Sequence, residues 1–234
     1  MIVLSVDSSS SAATVALVSE ESILGEITLN HKKQHSILLM PMIDSLLKYN
    51  ELSLGDIDGF VISKGPGSFT GLRIGMATIK GLSLGSNKPC ISISNLDGLA
   101  YNVFPFEGII CPIMDALRNN VYTCIYKNEE DNLKPLTEYM VISLDELIDI
   151  IKKQGEKVIF VGDGTEKHRD YLNSHLQNAT FAPYHLNYTR ASSLGELGVK
   201  QFSKGISDNI NISAPLYLRK SQAEREYDKK MGLE

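Results

Sequence analysis

The chain has no tryptophan and only three cysteines, Cys90, Cys111 and Cys124, widely spaced and without a Cys-x-x-Cys pair. An odd, scattered set excludes a disulfide scaffold and a zinc ribbon, and it fits a reducing, cytoplasmic compartment. Each cysteine is expected as a small buried apolar residue. No apolar run is long enough to span a bilayer. The opening Met1-Ile2-Val3-Leu4 carries no basic residues and meets Asp7 almost at once, so it does not read as a signal peptide. Positive charge is not in excess: 23 Lys and Arg stand against 28 Asp and Glu, a net charge of -5. Bulk charge therefore does not attract nucleic acid, and any RNA contact needs a local patch or a partner. No Ser/His/Asp or Cys/His set stands out for nucleophilic catalysis.

What is present is an ordinary globular balance, 43% hydrophobic and 22% charged over 234 residues. That is enough for one large domain or two smaller ones. The most distinctive stretch is 65–75, Gly-Pro-Gly-Ser-Phe-Thr-Gly-Leu-Arg-Ile-Gly. An apolar, β-branched run at 59–63 predicts a strand before it, and 72–84 reads as a helix after it. Pro66 ends the strand, and Ser68 or Thr70 can cap the helix. Exposed amides at such a helix start can cradle an anion, but no Lys follows the last glycine as a Walker loop requires. Gly71 and Gly75 lie one helical turn apart, as do Gly81 and Gly85. Each interior glycine costs about 1 kcal/mol of helix stability, and close approach of another backbone is the reading favoured for them.

Taken in order, 2–6 is a buried strand ending at Asp7, a serine turn follows, and 13–18 and 23–29 complete a β-meander. Residues 36–49 form a helix whose apolar positions cover an arc of about 200°, where a helix on a sheet needs only about 100°. The surplus implies a second apolar partner, within the chain or outside it. Pro41 is expected to kink this helix or to sit in its first turn. A strand at 56–63, the glycine turn and its helix, a strand at 90–93 and a helix at 96–103 capped by Ser94-Asn95 follow. A second unit then opens as the first did: a strand leading to Asp115, a turn, and a strand at 121–126. Laid on Asp7, Asp115 brings 121–125 onto 13–17 without a gap, which reads as an internal duplication. A strand at 139–142, a helix at 145–153, a strand at 157–161 ending in Gly162-Asp163-Gly164, and helices at 166–176 and 192–204 complete it. The expected fold is α/β, a duplicated actin-like (ribonuclease H-like) two-lobed architecture. The expected division is 1–106 for the first lobe, 107–219 for the second and 220–234 for a charged tail.

Four features point to one family: Asp7 with its serine turn, the 65–75 stretch, Met114-Asp115-Ala116-Leu117-Arg118 followed by Val121-Tyr122, and Pro215-Leu216-Tyr217-Leu218-Arg219. Together they resemble the TsaB (YeaZ) family over essentially the whole chain. The resemblance implies a non-catalytic scaffold in tRNA threonylcarbamoyladenosine formation. It implies pairing with the catalytic paralogue TsaD through the first two helices, with the ATPase TsaE joining. tRNA is then reached only through the complex. In isolation the same two-helix face would be exposed, so a homodimer is expected for the lone chain. The expected interface residues are Ile37, Met40, Ile43, Leu47, Gly71, Ile74, Gly75, Thr78 and Leu82.

TsaD carries a metal-binding His-Met-Glu-Gly-His; the matching place here is Asn95-Leu96-Asp97-Gly98-Leu99, with both histidines gone, so no such metal site is expected. His31 and His35 lie four apart, but Lys32 stands where a zincin has Glu, and adjacent lysines repel a cation. No cofactor is expected. The nucleotide candidates are Asp7, Ser8, Gly162 and Gly164. Asp7-Ser8-Ser9 and Asp115-Ala116-Leu117 both lack the glycine of an Asp-x-Gly phosphate turn, and 162–164, which after a strand could approach an adenosine, is favoured as an ordinary strand-to-helix turn. The alternatives are an actin-fold ATPase or carbamoyl-type transferase using Asp7 and Asp115, and last a metallopeptidase.

Overall fold

The computed structural model describes residues 1–30 and 35–219, and beyond them Glu224, Tyr227, Lys230 and Met231. His31 and most of the expected charged tail therefore lie outside the described residues.

The first lobe is built on a sheet ordered β3-β2-β1-β4-β5. Its strands are β1 (Ile2–Asp7), β2 (Ala13–Ser19), β3 (Ile23–Leu29), β4 (Gly59–Gly65) and β5 (Cys90–Ser94). The first three form the expected antiparallel meander, and β4 and β5 add in parallel. Alternation along β1 sends Leu4 and Val6 to one face and Val3 to the other. Both faces are covered, which is why the strand reads as an unbroken apolar run. On the first face lie α1 (His35–Tyr49) and α2 (Phe69–Ser86), closing a core with Val15, Phe60, Ile62 and Ile79. On the second lies a late helix (Ala191–Phe202, α6 in chain order), whose Leu194 and Val199 meet Val18, Val61 and Ile91. A short helix, α3 (Asn95–Tyr101), follows β5 and is capped by Ser94, whose Oγ accepts from the Leu96 amide at 3.2 Å.

The second lobe repeats the opening. Its sheet path runs β10-β7-β6-β11-β12, with the β8–β9 hairpin paired to β6. The strands are β6 (Ile109–Asp115), β7 (Asn120–Thr123), β8 (Tyr126–Glu129), β9 (Asn132–Pro135), β10 (Met140–Ser143), β11 (Val158–Val161) and β12 (Ala179–Phe181). Helices α4 (Leu144–Gln154) and α5 (Gly164–His175) accompany them. The two-lobed actin-like architecture is as expected.

Three expectations are corrected. The single strand at 121–126 is two strands: β7 pairs with Ile113–Asp115 and β8 with Ile109 and Ile110. The break falls opposite Pro112, which has no N–H to offer the ladder. The polar groups freed there find partners elsewhere, Ile125 N on Thr137 Oγ1 at 3.0 Å and Leu136 N on Ile125 O at 2.7 Å. The strand expected from 56 starts at Gly59, because Ser53 and Asp56 form a capping box around a 3-10 turn at Leu54–Asp56. Residues 107–219 do not all join the second lobe. α6 covers the first sheet, and the segment after it runs back along β5, with Asp208 N on Cys90 O and Asp208 Oδ2 accepting from Ser92 N, both at 2.8 Å.

The start of α2 presses on the serine turn after β1. Ser68 caps the helix, accepting from the Gly71 amide at 3.3 Å, and Ser68 N donates to Ser9 O at 2.7 Å. A methyl group on Gly71 would collide with the Ser8 carbonyl, and one on Gly75 would lie 2.6 Å from Ser8 Oγ. Side chains on Gly81 and Gly85, further along, would meet nothing within 4 Å among the described residues. Gly71→Ala should therefore cost about 3 kcal/mol in urea unfolding through overpacking. Gly81→Ala should stabilise by about 0.5–1 kcal/mol through helix propensity.

Candidate functional site

In a parallel α/β sheet, ligands gather beyond the carboxyl ends of the strands. Here that region is filled by the chain itself. Asp7, at the end of β1, is fully buried, and its Oδ1 accepts from Ser9 N at 3.0 Å while Oδ2 has no partner among the described residues. Burial pushes the carboxyl above its usual range, against the opposing hydrogen bonds from Ser9. Ser8 is buried and donates through Oγ to Gly71 O at 2.9 Å. Neither candidate is open to a nucleotide.

The matching place in the second lobe is occupied differently. Lys167 on α5 donates to both oxygens of Asp115 at 2.9 Å, and Leu117 N donates to Oδ1 at 3.1 Å. Partial burial works to raise the Asp115 carboxyl, but Lys167 and the Leu117 amide outweigh it and hold it below the usual range. Asp163 Oδ1 accepts from Asp115 N at 3.0 Å, and burial pushes the Asp163 carboxyl up. A side chain on Gly162 would strike the Ile113 carbonyl, and one on Gly164 would lie 3.0 Å from it. Both glycines serve close packing against β6. Among the described residues, no group of three or more His, Cys, Asp or Glu is placed to hold a metal ion.

The helix face divides the expected interface residues into two groups. Ile37 (61% exposed) and Met40 (47%) on α1 face outward. Ile74, Thr78 and Leu82 on α2 are half-buried. Ile43 and Leu47 are buried in the lobe's own core, and Gly71 and Gly75 are buried against the serine turn. The wide apolar arc of α1 is partly spent on α2, which packs beside it, as well as on β2 and β3. Leu84, which is not among the expected interface residues, is 61% exposed. With Ile74, Ala77, Gly81 and Gly85 it makes a row of 3–4-residue spacing along the outer side of α2, a signal present in the sequence.

A curated relative, the tRNA threonylcarbamoyladenosine biosynthesis protein TsaB of Bacillus subtilis, is 31% identical over 228 residues, covering 97% of this chain and 98% of its own. A family model described as TsaD, tRNA N6-adenosine threonylcarbamoyltransferase, matches residues 22–227. The chain belongs to the TsaB family. The Escherichia coli TsaB is 25% identical over 95% of this chain and 96% of its own. The solved structure of YeaZ from Pseudomonas aeruginosa superposes with a TM-score of 0.78 at 22% identity, covering 93% of this chain and 99% of that one.

In this TsaB-family chain the segment 95–99, where the resemblance places the metal-binding histidines of TsaD, is put to structural use. The Asn95 amide joins Ser63 Oγ, Ser9 Oγ and Pro66 O, and Leu99 is in the core. Asp97, between them, is enclosed by two tyrosines of the second lobe. Burial pulls its carboxyl up, while hydrogen bonds from Tyr126 and Tyr139 and the charge of Lys64 pull it down, and burial wins.

The raised Asp7 value has a consequence for stability. The unfolded carboxyl releases its proton first, so the folded chain loses stability as pH rises from about 4 through the raised value. Asp7→Asn carries no such proton. Thermal melts of both proteins should show Asp7→Asn gaining on the wild type between pH 4 and pH 7; a constant difference would contradict the buried acid.

Proposed function

We propose that this chain is the non-catalytic TsaB subunit of tRNA threonylcarbamoyladenosine biosynthesis in the cytoplasm. In this reading the outer faces of α1 and α2 pair with a TsaD-like catalytic subunit, a TsaE-like ATPase joins the pair, and tRNA is met through the complex. A second copy of the chain occupies the same face when it is alone.

The observation that carries the reading is the outer row of α2. Gly81 and Gly85 each cost helix stability, and no atom of the described residues beyond the adjoining helical turn lies within 4 Å of where a side chain on either would start. Beside them stand the exposed Leu84 and, on α1, Ile37 and Met40. Small residues flanked by exposed apolar ones suit close packing of a partner helix. The reading against catalysis is supported by both strand-end acids: Asp7 is sealed in, and Asp115 is held by Lys167. No described helix is long and apolar enough to cross a membrane.

Ile37→Asp with Leu84→Asp should leave the far-ultraviolet spectrum unchanged, since both sites are exposed. The same pair should abolish co-purification with a TsaD-like subunit and halve the solution mass of the lone chain. Retained pairing in both assays would refute the docking face. Ile43→Asp is no test, because it would unfold the lobe.

A further inference from the structure

Asp97 lies on α3, which is tied into the first lobe. Asn95 bonds to the strand-end serines and to Pro66 O, and Gly98 packs where a side chain would strike Leu194 of α6. The carboxylate is met from the other lobe. Tyr126, on β8, donates to Oδ1 at 2.6 Å. Tyr139, just before β10, donates to Oδ2 at 2.8 Å and lies 3.0 Å from Oδ1. Tyr126 is 1% exposed, and the Lys64 ammonium of β4 sits 5.9 Å from the centre of the Tyr139 ring.

We propose that Asp97, Tyr126 and Tyr139 form an inter-lobe latch that holds the two lobes at one fixed opening. Around the latch, Leu96, Leu99 and Ala100 meet Ile110, Met114 and Val161. Such apolar contact is non-directional and by itself lets two surfaces slide. Two phenols converging on one carboxylate do not, because each hydrogen bond weakens steeply when its angle changes. Partial opening would leave a buried carboxylate without donors, a costlier state than either full closure or full exposure. A second clasp crosses nearby. The segment after α6 places Leu216 N on Lys64 O at 2.7 Å and the Arg219 guanidinium on Ala116 O. Between these points Tyr217 stacks on Phe69, with ring centres 4.7 Å apart, and its hydroxyl accepts from Arg73 Nε at 3.0 Å. The latch belongs to the lone chain and stands whether or not α1 and α2 form a docking face.

The test is native-state hydrogen exchange on the full-length chain, comparing wild type with Tyr139→Phe, Asp97→Asn and the double variant. Amides of 95–101 and 126–135 should exchange about tenfold faster in each single variant, with β1 and β2 unchanged. The double variant should exchange no faster than Asp97→Asn alone, since the two changes break one interaction. Unchanged rates at 95–101 and 126–135, equal acceleration in β1 and β2, or additive effects would each overturn the latch. Tyr139→Phe removes one oxygen and keeps its ring, so it reports on the latch even where Asp97→Asn fails to fold.

Discussion

The fold turns on the contact between the serine turn after β1 and the first two turns of α2. Ser8 gives Gly71 its hydroxyl hydrogen and takes up the space a Gly71 side chain would need. Ser9 accepts the Ser68 amide as the helix begins. The serine hydroxyls that in an open strand-end crevice would face a ligand are here taken up by Gly71 O and the Asn95 amide. This closure seals Asp7, sets where α2 lies on the sheet, and so decides which side of α2 is left facing outward.

The two lobes then divide the work. In the first, burial removes the carboxylate from solvent; in the second, an ammonium holds it. The lobes arrive at the same outcome by opposite electrostatics, one raising and one lowering the acid. Between them the cleft is spanned by apolar packing, by the Asp97 cluster and by the segment that follows α6. A chain built this way suits the presentation of a fixed surface better than a cycle of opening and closing around a ligand.

Much of the fold could be read along the chain. The meander, the helix caps at Ser68 and Ser94, and the repeated strand ending in an aspartate are local patterns, and local patterns persist whatever packs on them. The departures come from what lies opposite in space. Pro112 interrupts a ladder only because 124–125 lies opposite it, and a pairing partner is not visible in a single strand. Leu84 is legible from its spacing along α2. Ile43 and Leu47 lie inward, and an apolar arc does not say which part of it another helix will cover.

By itself the sequence determined most of the helices and strands, the caps at Ser68 and Ser94 and the glycine rows, because these depend on residue type and short-range geometry. The tertiary structure decided which glycines of α2 meet the chain's own turn and which meet open space. It sent α6 back to the first sheet, and it brought Asp97 against two tyrosines some 30 and 40 residues away. Those are matters of what lies opposite in space, and contacts between distant segments are set by the packing of whole layers rather than by any stretch that carries them.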